Sequence, residues 1–174
     1  MIKNRKQILL WGILAILLGG HSILAQESAG GKEYDLKAAF LYRFIDYVNW
    51  KDYSKNQVFK IAILEESQIT SSLLEVPKNR KIDIKEYKNL NEISICNILF
   101  VPYNCSIPIE SILSKFSGKP VLIVTERNGY GKKGAHMNFI IVENKLKFEV
   151  NLKAINKAGI GISSFLLQHA IIVQ

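Results

Sequence analysis

Cysteine is scarce in this sequence: Cys96 and Cys105 are the only two among 174 residues. No C-x-x-C pair and no cysteine–histidine spacing accompanies them, so nothing points to a zinc site. The run between them, Asn97–Val101, is apolar and strand-like. A strand rises about 3.3 Å per residue, which carries the two sulfurs too far apart for an intrachain bridge. Internal repeats and low-complexity tracts are absent. Past residue 20 there is no apolar run of the roughly 20 residues that a spanning helix needs. Basic residues outnumber acidic ones, 23 to 15, but the lysines are scattered and no basic stripe is interleaved with aromatics. That excludes nucleic acid as the expected partner.

The N-terminus is where the sequence is explicit. Lys3, Arg5 and Lys6 precede the apolar run Ile8–Leu18, and Gly19, Gly20, His21, Ser22 and the small Ala25 follow. This is the three-part layout of a secretory signal peptide over residues 1–25, with the mature chain starting at Gln26. No cysteine lies near the cut, so a lipid anchor is unsupported. Removing three cations lowers the net charge from +8 to +5. About 149 residues remain, enough for one core burying roughly two-thirds of the unfolded surface. Residues 26–33 are polar and contain Gly30 and Gly31, and read as a flexible leader.

From Tyr34 to Trp50 a helix is expected. Leu36, Phe40, Phe44, Tyr47 and Val48 recur at its period, and Leu41 and Ile45 widen the stripe. Phe59–Leu64, Ile82–Tyr87, Cys96–Val101 and Val121–Thr125 read as strands, with a short helix at 68–76 and another after Pro108 that Gly118 ends. Met137–Val142 and Leu146–Val150 form a hairpin about Asn144. Asn151 then caps the helix "LKAINKA", Gly159 stops it, and Ser163 or Ser164 caps a last helix, "FLLQHAIIV". Strands alternating with helices define an α/β single domain: a mixed sheet with flanking helices, ending in a β-hairpin and two helices.

The stretch "NGYGKKGAH" contains G-x-G-x-x-G at Gly129, Gly131 and Gly134. A dinucleotide loop must run into a helix whose N-terminus holds the pyrophosphate. Here a strand follows instead. A Walker loop needs Ser or Thr after Gly-Lys, and Lys133 stands there. The loop is therefore read as a structural connection. His136 and His169 lie far apart, and His169 is expected to be structural. Ser163 and Ser164 lack a G-x-S-x-G elbow. Glu126, Glu143 and Glu149 alternate with lysines and are read as a solvated face. Asn97 is expected to point outward. No catalytic set and no cofactor site is expected.

Several segments together carry a family likeness: Lys37–Trp50, Cys96–Val101, Gly118–Val124 and Phe148–Leu167. In order and spacing they resemble the YfiR family of exported bacterial proteins, over Tyr34 to about Ile171. The resemblance implies a periplasmic, non-enzymatic repressor. It would bind the sensing region of a membrane-bound diguanylate cyclase or a sensor kinase, with an outer-membrane lipoprotein as a sequestering partner and a homodimer in some members. Relatives often carry a cysteine in the first strand that bridges to the position of Cys96. Here that strand, "FKIAIL", has none. The alternative reading is a periplasmic domain that senses a small ligand at the carboxyl ends of its strands. Binding energy concentrates in aromatic and arginine anchors, so Tyr42, Arg43, Asp46, Trp50 and Tyr130 are the candidate partner-binding residues.

Overall fold

The structure, a computed structural model, describes residues 21–50, 53–54, 57–77 and 79–174. Residues 1–20, which hold the positive and apolar parts of the expected signal peptide, lie outside them. The first helix, α1, spans His21–Tyr47. It thus takes in residues 26–33, expected as a flexible leader. From Lys37 onward α1 is held from both sides. Ala38, Leu41, Phe44 and Ile45 are all buried against the sheet, while Glu33 and Lys37 pair one turn apart at 2.5 Å.

The helix ends three residues earlier than its sequence pattern implies. Val48–Trp50 form a short strand, β1, that pairs antiparallel with β8 (Ile160–Ile162). A β-branched residue and an indole fit a pleated, buried ribbon better than another helical turn, and tertiary pairing decides the matter.

The main sheet contains β2 (Phe59–Leu64), β3 (Ile82–Tyr87), β4 (Ile98–Val101), β5 (Leu122–Thr125), β6 (Met137–Val142), β7 (Lys145–Asn151) and β9 (Ile171–Val173), in the order β3-β2-β4-β5-β6-β7-β9. The first five are mutually parallel, and β7 runs antiparallel to β6. The chain starts on β2, adds β3 on one side, then crosses back to β4, so the strand order reverses between β2 and β4. The expected α/β mixed sheet with a closing hairpin is therefore the fold. The hairpin turn places both Glu143 (φ 50) and Asn144 (φ 57) in the left-handed region, as a two-residue turn requires.

The C-terminus differs from its expected form. The last helix, α5, covers only Ser164–Gln168, and β9 follows, parallel to β7. Ile171, Ile172 and Val173 prefer a strand, and the free edge of β7 offers the pairing partner. Both predicted caps are in place. Asn151 accepts from the Ala154 N–H at 2.9 Å at the start of α4 (Leu152–Lys157), and the Ser163 hydroxyl accepts from the Leu166 N–H at 3.3 Å.

Alternation along the central strands divides the core into two layers. Phe59, Ile61, Ile63, Ile98, Phe100, Leu122 and Val124 face α1, α2 (Ile69–Glu75) and the C-terminal elements. Ala62, Leu64, Leu99, Val101 and Ile123 face α3 (Ile109–Lys115) through Ile109, Ile112 and Phe116. Phe44 stacks on Phe139 at 6.0 Å and meets the edge of Phe148 at 5.4 Å. Burying each such side chain contributes roughly 1.5–3 kcal/mol. Asn97 is half-buried and bonds the neighbouring strand: its Oδ1 accepts the Lys60 N–H at 2.8 Å, and its own N–H bonds the Lys60 carbonyl at 2.9 Å. Cys96 and Cys105 are both buried and unbridged. Burial pushes the Cys96 thiol up to about 12.

Candidate functional site

At the carboxyl ends of the parallel strands the chain builds a charge network. Lys37, from α1, approaches Glu126, just past β5, at 2.5 Å, with side chains only 7% and 1% exposed. The same carboxylate accepts from the Tyr34 hydroxyl at 3.1 Å and from the Tyr103 N–H at 2.9 Å. Burial, and then the Glu126 charge, raise the Tyr34 phenol well above its ordinary value. Arg127 completes the corner, donating to the Tyr103 and Cys105 carbonyls and to the Tyr130 hydroxyl at 2.7 Å. Glu126 is thus no part of a solvated face. It latches the first helix to the sheet. Glu149 instead accepts from Asn138 Nδ2 at 2.8 Å, and Glu143 is exposed in the hairpin turn. The three carboxylates hold three different neighbourhoods and make no acid–base pair.

Beside this network lies the crevice where the strand order reverses, about 700 Å³, lined among others by Tyr34, Glu66, Gln68, Thr70, Glu86 and Tyr103. Of its two acids, Glu66 is exposed, and the Glu86 carboxylate accepts from the Thr70 hydroxyl and from the Ser67 N–H at 3.3 Å. Neighbouring Glu65 accepts from the Ser106 hydroxyl at 2.5 Å and from its N–H at 3.0 Å.

The anchors expected from sequence separate into three kinds. Trp50 is buried at 5% exposure, edge-on to Phe59 at 5.0 Å, because β1 turns it into the core. Tyr130 is buried at 8%, between Arg127 and Lys133, whose cationic groups lie 5.2 and 5.5 Å from its ring centroid. Neither is the exposed anchor that its sequence position suggests. Loop residues fold back wherever their own side chains can fill a core gap, and Tyr130 does so against the α3 layer. Tyr42 and Asp46 face the segment before β3. The Tyr42 hydroxyl donates to Asn79 Oδ1 at 2.6 Å and accepts the Asn79 N–H at 2.9 Å, while Asp46 pairs with Arg80. Arg43 is exposed, and its side chain has no hydrogen bond or ion pair among the described residues.

Arg43 stands on the rim of a groove of about 710 Å³ between α1 and the C-terminal segment. Its walls include Phe40, Tyr47, Phe148, Phe165 and Ile171. Tyr47 and Phe165 stack at 4.9 Å, and His169 packs on Phe165 at the same distance. Phe165 is 52% and Ile171 37% exposed, and Leu36 and Ile141 are also exposed apolar residues. His169, expected to be a structural histidine, is exposed here, with a ring nitrogen 2.9 Å from the Phe165 carbonyl. Lys147 and Arg43 are the charged lining residues, and no carboxylate lines the groove. Phe165, His169 and Ile171 carry no sequence signal for this role. They belong to an apolar stretch that reads as core, and only the break into α5 and β9 leaves it part-exposed.

An α/β domain presenting an apolar, cation-rimmed groove has the build of a recognition domain. The chain belongs to the YfiR/HmsC-like family, whose sequence pattern matches residues 34–171. No curated protein matches it. The family is one of regulatory, non-catalytic repressors that act in the periplasm on a membrane diguanylate cyclase, and membership is consistent with that kind of regulator here. Among the described residues no helix is long and apolar enough to cross a membrane.

Proposed function

We propose that the protein is exported by its N-terminal segment, binds the periplasmic sensing part of a membrane-bound diguanylate cyclase or sensor kinase, and represses it. The observation that carries this reading is the family match across residues 34–171. The groove beside α1 is the surface that suits it. Its exposed aromatic wall and two cations, with no acidic lining residue, suit an apolar segment flanked by Asp or Glu on the partner. Sequestration by an outer-membrane lipoprotein and a homodimeric state belong to the same proposal.

A photo-crosslinking residue placed at Arg43 tests the reading in the host envelope. Capture of the cyclase or kinase is expected, with higher signalling output when the gene is deleted. Arg43→Ala should weaken binding by roughly tenfold or more, with the melting temperature unchanged. Output unaltered by deletion would sink the proposal and move the ligand-sensing alternative to first place.

A further inference from the structure

The glycine loop that failed as a nucleotide cradle borders a cavity at the opposite end of the sheet. The cavity has a volume of about 360 Å³ and lies between the loop, the end of α3 and α4. Its apolar lining includes Leu113, Phe116, Ile123 and Ala158. Four lysines also line it: Lys132 and Lys133 from the loop, Lys153 and Lys157 from successive turns of α4. Lys133 forms an exposed ion pair with Glu110 at 3.5 Å. The side chains of Lys132, Lys153 and Lys157 have no hydrogen bond or ion pair among the described residues. No acidic side chain lines the cavity, and Gln174 is among its other lining residues.

The two segments that carry these exposed lysines are tied together by a buried side chain. Asn151 donates from Nδ2 to the Gly131 carbonyl at 2.9 Å and accepts at Oδ1 from the Ala154 N–H at 2.9 Å. It therefore ties the lysine-bearing loop to the lysine-bearing helix. Its own N–H bonds the carbonyl of His136, whose ring sits in the cavity wall, 6% exposed, with Nδ1 accepting the Ile123 N–H at 3.0 Å. A Cβ at Gly131 would stand 2.5 Å from the Glu149 carboxylate on β7, so the bare glycine leaves that side chain in place. Like charges gathered around an apolar pocket repel one another, and a bound anion removes that repulsion. A fixed frame lowers the ordering cost of binding.

We propose that this cavity is a binding site for a small organic anion, an apolar body carrying a carboxylate or phosphate group. The ring of lysines holds the charge, and the Phe116 and Leu113 side of the cavity takes the body. The site is separate from the partner groove and does not depend on the repressor reading.

An amide NMR titration of the isotope-labelled protein with phenyl phosphate and with benzoate tests it. Saturable shifts at Gly134, His136, Ala154 and Lys157 are expected, with a Kd of about 0.1–1 mM for at least one of the two. The stronger arm tells phosphate from carboxylate. Neutral benzamide should bind at least about tenfold more weakly, and raised salt should weaken the anions. The Lys153→Gln/Lys157→Gln double variant should lose about tenfold or more in affinity at an unchanged melting temperature. Three results would each overturn the proposal: shifts that map to Phe40 and Phe165 instead, a double variant that binds like the parent, or inorganic phosphate binding as tightly as phenyl phosphate.

Discussion

The two ends of the parallel sheet handle charge in opposite ways. At the carboxyl ends, Glu65, Glu86 and Glu126 are each matched by donors from the chain itself. Toward the amino ends of β5 and β6, Lys132, Lys153 and Lys157 share a cavity without any such match. Charges paired within the fold serve the fold, and removing one leaves its partner stranded. Unpaired charges of one sign contribute little to stability and remain free for a ligand. Mutations at the two ends should therefore divide cleanly between stability and binding.

The largest effect is expected at Glu126. Glu126→Ala strands the buried Lys37 ammonium and removes the acceptor of Tyr34 and Tyr103, and should cost about 3–5 kcal/mol, read as a lower midpoint in urea unfolding. A loss under 1 kcal/mol would mean that Glu33 alone suffices for Lys37, and the comparison would fail on its stronger side.

Tyr130→Ala should come next, at about 2–4 kcal/mol, since it opens a cavity in the α3 layer and removes a part-buried hydrogen bond from Arg127. Lys132→Ala, two residues along the same loop, should stay within about 0.5 kcal/mol. Calorimetry of the pair sharpens the contrast inside a single turn.

His136 brings pH into the basic end. Burial pushes its imidazole down to about 4 from an ordinary 6.5. Between those values the unfolded chain binds a proton that the folded chain excludes. Stability should be full above pH 6.5 and fall by up to about 3 kcal/mol toward pH 4. His136→Gln should flatten that part of the stability profile. A profile equally steep in both proteins would assign the slope to other groups.

The smallest effect is expected for Lys153→Gln and Lys157→Gln without ligand. Each should change stability by less than about 0.5 kcal/mol, with a slight gain at low salt as repulsion is relieved. A clear loss would show that these lysines have a structural task, and would blur the division between the two ends.

Much of this was legible before any coordinates. The strands Phe59–Leu64, Ile82–Tyr87 and Met137–Val142, the hairpin at Asn144, and the caps at Asn151 and Ser163 all follow from local pattern, because alternation, turn chemistry and capping act over a few residues. The family likeness was legible too, since it lies in motif order. The anchors were not. Tyr42, Trp50 and Tyr130 look alike as isolated aromatics, and what separates them is which distant segment lies opposite: Asn79, Phe59 and the α3 layer.

By itself, then, the sequence determined that this is an α/β chain with a closing hairpin, a YfiR-like motif order and a glycine-rich loop joining two strands. The tertiary structure alone decided that Val48–Trp50 and Ile171–Val173 become strands, since each takes its hydrogen bonds from a segment more than 20 residues away. It alone decided that Glu126 is a buried latch and that four lysines from two elements surround one cavity. Burial and charge partnership are properties of pairs, and the pairs here are made by chain reversal over tens of residues, a distance at which no local pattern carries information.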